Sequence, residues 1–425
     1  MRQIIERGKV LLVDGPACIT LHSGTMRAFG AQVKAGEHLV VRRGRRIPME
    51  AVDDSQIEIL LGNAASCSII DEDPIPPSWK DAANKVLSVD GRVEVAVIGG
   101  IDSGKTSFCI YLTNLALSLG RKVALIDGDL GQSDIGPPGT LGLSVVKKPI
   151  IDPFNLKPDQ LVFIGITSPY KVIEQTINGL VELRNKAVRL GSDFIVINTD
   201  GWVEGDEAVS YKCRLIERLE PNFVIALESS EILKPITDSL VNMGAEVLVS
   251  ESPKNIKKRD RETRKIIREA SYKRYLRDAK VRSMPLSWIK VGGNLEIRGK
   301  IDQPLKGKIE ESVGKKVVYC ENLQNFIILV LKEEAKLSDD EKTKLTAVLN
   351  KPVKVIREGD EKGLLVALED SEGNVLGIGI IHCVDFERGI LKVYTNVEDT
   401  VSSVHVGQIR LDDNGNEIEI VPGSP

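Results

Sequence analysis

Residues 99–106 read GGIDSGKT, and no other stretch restricts the possible folds of this chain as strongly. Gly99, four residues, Gly104, Lys105 and Thr106 satisfy G-x-x-x-x-G-K-[ST]. The apolar run VEVAVI precedes the glycines and a helix-forming segment follows, so the motif sits between a strand and a helix as it must. Glycines let consecutive backbone N–H groups turn inward onto phosphate oxygens, and the start of the helix adds partial positive charge. The spacing predicts a nucleoside-triphosphate cradle of Gly99, Gly100, Ile101, Asp102, Ser103, Gly104, Lys105, Thr106 and Ser107. Lys105 is expected to reach the β and γ phosphates, and Thr106 to bind Mg²⁺ or another divalent metal.

The segments on either side agree with that reading. Short apolar strands such as VEVAVIGG, KVALIDGD, FIVINTDGW and AEVLVSES alternate with helical patterns at Lys105 to Leu119, Val172 to Leu190 and Glu231 to Val241. That alternation predicts an α/β domain with a mostly parallel sheet covered on both faces. Residues 1–72 show short strands with close Gly and Pro punctuation, expected to form a small β-sandwich or barrel. The proline-rich stretch DEDPIPPSWKD (71–81) is expected to be a linker. The basic segment Lys254 to Lys280 should be largely helical, and residues 281–425 return to strand-like runs around a helix at Ser338 to Leu349. The expected division is therefore a β-rich domain at 1–72, a phosphate-loop domain at 73–280 with a basic lid at 254–280, and a β-rich α+β domain at 281–425.

Composition excludes several classes. No run approaches the ~18 apolar residues that span a bilayer, and charged residues lie within and beside the first apolar stretch. A cytoplasmic protein without membrane contact is expected. Six cysteines lie far apart without a C-x-x-C, which argues against structural zinc or a disulfide framework. The net charge of −4 hides a patch: Lys254 to Lys280 holds twelve Lys or Arg against four Asp or Glu. Abundant Lys, Glu, Ile and Val with scarce Gln point to a thermophile source.

Four further features bear on the acceptor of the phosphate. Asp127 and Asp129, in VALIDGDLGQ, are two apart, so on extended backbone their carboxylates share a side, at the end of a strand expected to neighbour the first. One suits a magnesium shell and the other a proton. Pro137, Pro138 and Gly139 promise a rigid turn near the acceptor. NTDGW (198–202) ends another strand and brings Trp202 to the same sheet edge, either to stack a nucleobase or to close the core. Arg264 and Arg268 are i, i+4 and share a helix face, with Arg259 and Arg261 about a turn earlier. No N-K-x-D follows a later strand, which favours adenine over guanine.

Together GGIDSGKTS, IDGDLGQSDIGPPGTLG, NTDGW and RDRETRKIIREASYKRYL resemble the P-loop polynucleotide 5′-hydroxyl kinases, in the same order. That family includes the RNA kinase of eukaryotic messenger-RNA 3′-end cleavage factor and the nucleolar kinase of ribosomal-RNA processing. The chain looks like an archaeal member, over roughly residues 75–280. The resemblance implies β-rich flanking domains on a kinase core and transfer of the γ-phosphoryl of ATP to the 5′-OH end of RNA, with DNA as a further acceptor. It implies roles for Lys105 and Thr106 and for Asp127, Asp129 and Gln132. It extends to a T-x-G-W clasp of Thr199, Gly201 and Trp202, and to an R-x-x-x-R lid of Arg264 and Arg268. Asp129 would be the base, with Asp127 as alternative base or metal ligand, and Pro138 and Gly139 would lie by the acceptor. Other RNA-processing proteins are possible partners. Two alternatives stay open: a non-catalytic ATP-bound scaffold, and a P-loop switch or metal-insertion ATPase.

Overall fold

The structure, a computed structural model, describes residues 1–228, 231–332, 334, 335 and 337–423. The chain divides into two compact units, Met1–Arg268 and Glu269–Pro425. The segments expected at 1–72 and in the phosphate-loop region thus lie in one unit.

In the first unit, residues 2–70 form two antiparallel sheets. One runs in the order Arg2–Ile5, Ser55–Leu61, Ala17–Ser23, His38–Val41; the other runs Ala31–Lys34, Thr25–Ala28, Arg46–Ala51, Val10–Asp14, Ser66–Ile70. Alternating residues such as Ala17, Ile19 and Leu21 point inward, as period-two patterning requires. The stretch read as a linker behaves differently. It ends at Pro76, and Pro77–Leu87 is a helix with proline in its first turn, where the missing N–H costs nothing. Trp79 is fully buried, packs edge-on against Phe108 at 5.1 Å and donates its indole N–H to the Glu251 carbonyl at 2.8 Å. A single apolar core runs from Ile5 and Leu11 through Trp79 to Val95 and Phe194.

The central sheet has seven strands in the order Gln160–Phe163, Thr140–Val146, Val123–Gly128, Phe194–Thr199, Val93–Gly99, Phe223–Glu228, Val247–Glu251. Six of the strands point the same way, and Thr140–Val146 alone is reversed, pairing antiparallel with both of its neighbours. This is a P-loop NTPase α/β fold with a mixed sheet and additional β-rich regions. The strand bearing Asp127 does not neighbour the P-loop strand as expected: Phe194–Thr199, buried throughout, lies between them. Two strand spacings are about 10 Å, which leaves lateral room between the cradle and the acids. The same register sets Asn198 beside both Val97 and Asp127. Helices Lys105–Ser118, Ile173–Arg189, Asp206–Leu219 and Lys234–Asn242 accompany the sheet.

The lid helix is shorter than the basic segment, running from Arg261 to Tyr275. Asp260 stops it on the N-terminal side by accepting the Thr263 N–H at 2.7 Å, an N-cap that takes residue 260 out of helical geometry. The second unit contains a seven-stranded sheet that includes Val375–Asp385 and Ser403–Leu411, and a three-stranded sheet of Val317–Asn322, Ile327–Leu331 and Val353–Arg357. Its helix Asp339–Leu349 is capped by Ser338 in a reciprocal capping box with Glu341. Among the described residues no helix is long and apolar enough to cross a membrane.

Charge also binds the sandwich to the central sheet. Arg42 reaches Asp134 at 2.8 Å and Asp152 at 2.5 Å, and Arg45 pairs with Asp134. Burial is the largest influence on Asp134 and pushes its carboxyl upward, but Arg45 and Arg42 outweigh it and hold the group below the usual range. A carboxyl lowered by folding contributes stability that is complete above its ordinary value and fades as the pH falls through the lowered one. Urea midpoints measured at about pH 5 and about pH 3, on either side of the ordinary carboxylate value, should separate more in the native protein than in Asp134→Asn. Equal separations would show that this clamp carries no acid-sensitive stability.

Candidate functional site

The P-loop strand Val93–Gly99 is buried along its whole length, so the chain emerges at the sheet edge with its direction fixed. The turn that follows places Asp102 at φ +55° and Gly104 at φ +100°, both left-handed, and the helix begins at Lys105. Asp tolerates that region better than most residues, and Gly at no steric cost. Lys105 is buried, and its ammonium donates to the carbonyls of Gly99 at 2.9 Å and Gly100 at 2.7 Å. Burial lowers its pKa, opposed by the charge of Asp129. The Ser103 hydroxyl is buried without a hydrogen-bond partner.

Asp127 and Asp129 separate at the strand end. Asp127 is the penultimate strand residue, and its carboxylate accepts N–H bonds from Asp134 at 2.6 Å and Asp129 at 3.2 Å, and from the Asn198 amide at 3.0 Å. Burial, then the charges of Asp134 and Asp129, push it up to about 7. Asp129 lies past the strand, where Oδ1 accepts the N–H groups of Gly131 and Gln132, both at 3.0 Å. Burial raises Asp129 also, with Lys105 pulling against it and Asp200 adding to it.

Metal capacity can be judged from the donors. The Asn198 Nδ2 lies 3.5 Å from the Thr106 hydroxyl, and the Asn198 Oδ1 is buried with no hydrogen-bond partner. Thr106, Asp127, Asp129 and Asn198 thus present hard oxygen atoms of the kind Mg²⁺ takes when it keeps waters and phosphate oxygens as its other ligands. Among the described residues no cluster of three or more His, Cys, Asp or Glu forms an all-protein cage.

Opposite the cradle stands the lid. Asp102, only 5% exposed at its side chain, accepts the Arg259 backbone N–H at 2.9 Å and its Nε at 2.7 Å, and lies 3.3 Å from Arg264 Nη2. Burial works against the charged carboxylate, but Arg259 and then Arg264 hold it below the usual range. Gln132 links to the same segment, with Nε2 donating to the Arg264 carbonyl at 3.3 Å. The Arg264 Nε is buried without a partner.

NTDGW forms the third wall. Gly201 is required by close approach: a Cβ there would lie 2.7 Å from Ile101 Cγ1 and 3.1 Å from its backbone. Asp200 accepts the Trp202 N–H at 2.9 Å, the Tyr211 hydroxyl at 2.7 Å and the Lys212 ammonium at 2.9 Å. Lys212 is 0% exposed and donates also to the Asp200 carbonyl at 3.0 Å. The Trp202 ring stacks on Tyr211, with centroids 5.5 Å apart.

A cavity of about 540 Å³ joins these walls. Of the residues singled out from sequence, Ile101 to Ser107, Asp129, Gln132, Gly201, Trp202, Arg264 and Arg268 line it. Asp127 and Thr199 stand behind the lining; Thr199 is fully buried and donates to the Val97 carbonyl at 2.9 Å. Gly99 and Gly100 supply carbonyls to Lys105, and Pro138 and Gly139 are buried away from the cavity wall. Sequence reasoning passed over Asn198 and Lys212 and left Arg259 without a task. Lys212 did carry a signal, since it falls in register with Ala208, Leu215 and Leu219 on the buried stripe of its helix.

A family model described as the mRNA cleavage and polyadenylation factor CLP1 P-loop matches residues 99–278. The match spans the P-loop strand end, the acids, the NTDGW segment and the lid helix. The chain is similar to the polyribonucleotide 5′-hydroxyl-kinase of Methanocaldococcus jannaschii, 28% identical over 353 residues that span 82% of this chain and 95% of the relative. The kinase of the same description from Pyrococcus furiosus is 29% identical over 353 residues, 82% and 96% of the two chains. A CLP1 homologue of Nematostella vectensis is 26% identical over 287 residues, 62% of this chain and 65% of that one. The solved structure of wild-type Clp1p in complex with Pcf11p shares the fold, with a TM-score of 0.66, 11% identity and coverage of 96% and 97%.

The Asp200–Lys212 pair is a buried ion pair, and removing one partner strands the other charge. Lys212→Met should cost about 3 to 5 kcal/mol of stability. Adding Asp200→Asn should restore part of it in a denaturation double-mutant cycle. Additive losses would mean the two side chains are not coupled.

Proposed function

We propose that this protein is an ATP-dependent polynucleotide 5′-hydroxyl kinase that transfers the γ-phosphoryl of ATP to the 5′-OH end of RNA. The observation that carries the reading is convergence: Lys105, Asp129, Trp202, Arg264 and Arg268 face one cavity. The archaeal relatives bearing the description polyribonucleotide 5′-hydroxyl-kinase support it. A switch or metal-insertion ATPase, or a non-catalytic scaffold, would leave the paired arginines and the T-D-G-W wall without work.

In this reading the P-loop amides hold the triphosphate, and the apolar end of the cavity, with Leu12, Pro48 and Ile256, receives the adenine. The acceptor's 5′-hydroxyl lies beside Asp129. As the 5′-oxygen forms its bond to the γ-phosphorus, the bond from that phosphorus to the β,γ-bridging oxygen breaks. The hydroxyl proton passes to Asp129 and ADP leaves. A carboxyl raised by burial is a better proton acceptor than an exposed one. Lys105 turns from its loop carbonyls to the β and γ oxygens, and Arg264 and Arg268 offset charge on the moving group. Thr106, Asp127 and Asn198 would hold Mg²⁺, which supplies charge neutralisation at the β and γ oxygens. Trp202 and Gln132 bound the acceptor side, and Thr199 and Gly201 shape the clasp beneath it. Residues 73–280 carry the phosphoryl transfer, segment 1–72 adds Leu12 and Pro48 to the adenine end, and the β-rich segments 1–72 and 281–425 are candidate surfaces for RNA-processing partners.

Incubation with γ-labelled ATP and matched RNA and DNA oligonucleotides should label 5′-OH RNA ends and leave 5′-phosphorylated ends unlabelled. Absence of label on every 5′-OH oligonucleotide would refute the kinase. Asp129→Asn should keep ATP affinity and lose about 10² to 10⁴ in turnover, and Arg264→Ala about 10³. Near-native turnover in Asp129→Asn would exclude that residue as the base.

A further inference from the structure

Tyr170 takes no part in the site described above, yet it lies where the cavity wall continues. Thr167, Ser168 and Pro169 line the main cavity, and the next two residues, Tyr170 and Lys171, line a second and more open one of about 640 Å³. An aromatic contact links a lining residue of each cavity: the Tyr170 ring packs against Trp202 with centroids 5.6 Å apart and planes at 78°. Trp202 already gives a ring face to Tyr211, whereas Tyr170 is 54% exposed. An exposed tyrosine beside a lysine, in ring contact with Trp202 of the main cavity, has the composition of a single-strand binding surface: a ring for a base and a cation for the backbone.

We propose that Tyr170 and Lys171 form a second nucleotide subsite for the acceptor strand. Tyr170 stacks the base on the 3′ side of the terminal nucleotide, and Lys171 meets a backbone phosphate. The inference rests on the kinase reading for the identity of the acceptor. Asp206 and Glu207 also line this cavity. They open the helix Asp206–Leu219, where negative charge is favoured by the helix dipole. Their charge excludes a phosphate from that side and accepts the amino groups of a base edge, which leaves Lys171 as the phosphate contact. The subsite therefore favours acceptors of two or more nucleotides over a nucleoside 3′-monophosphate.

The test compares kcat/KM, at saturating ATP, for adenosine 3′-monophosphate, the dinucleotide ApA and a decanucleotide, all with 5′-OH ends. Tyr170→Ala should reduce the preference for ApA over the mononucleotide about tenfold, near the lower end of base–aromatic stacking. Tyr170→Phe, which keeps the ring, should retain it. Lys171→Met should flatten the dependence of log affinity on log salt for the decanucleotide by about 0.7, the value of one single-strand phosphate contact. An equal loss on mononucleotide and dinucleotide, or no loss on either, would overturn the subsite. Should the native protein phosphorylate none of these, anisotropy of a labelled 5′-OH decanucleotide separates the two ideas. Binding weakened by Tyr170→Ala upholds the subsite while the kinase reading falls, and binding indifferent to Tyr170 overturns the subsite as well.

Discussion

The sheet edge at the heart of this protein is organised by the cost of burying carboxylates. Four acids, Asp127, Asp129, Asp134 and Asp200, gather near the ends of two strands, and each must be matched by a cation, by N–H groups or by a proton. Asp134 is matched by Arg42 and Arg45, and Asp200 by Lys212. Asp102, in the phosphate loop, is matched by Arg259 and Arg264. Asp127 and Asp129 are held chiefly by N–H groups and sit above the usual carboxylate range. Of these two, Asp129 lines the cavity beside the phosphate loop and Asp127 stands behind it.

Strand order turns this charge pattern into a working geometry. Inserting Phe194–Thr199 between the P-loop strand and the acid strand sets Asn198 between Thr106 and Asp127 and carries the T-D-G-W wall to the same edge. The sandwich contributes the arginines that neutralise Asp134, whose N–H in turn holds Asp127. A domain that sequence patterning sets apart is thus joined to the acids through two salt bridges and a hydrogen bond. The lid is joined the same way, by Asp102 and Gln132.

Features with a local physical cause were readable in the sequence. Gly104 before Lys105, the alternation of apolar strands with helices, and the helix that begins at Ser338 or just after it each follow from neighbours within a few residues. The pairing of Arg264 with Arg268 on the cavity wall follows from helical period alone. Features that depend on distant partners were not readable. The position of the acid strand is set by which strand fills the gap beside it, and Asp129 leaves the strand because the Gly131 and Gln132 N–H groups capture its carboxylate. Trp79 reads as part of a linker because three prolines precede it, yet its indole has a carbonyl acceptor 172 residues away. Lys212 shows the middle case: its register was visible, but a lysine on an apolar stripe declares a buried partner only when that partner, Asp200, is known to lie beneath it.

The convergence of donor, acceptor and lid is tested most directly by a crystal structure with a non-hydrolysable ATP analogue and a 5′-OH dinucleotide bound together. The expected result places an Asp129 oxygen within about 3 Å of the 5′-oxygen, a reach consistent with proton transfer, and moves Arg264 from Asp102 to the γ-phosphate. A dinucleotide seated outside the cavity, or an Arg264 still paired with Asp102 beside a bound analogue, would contradict it.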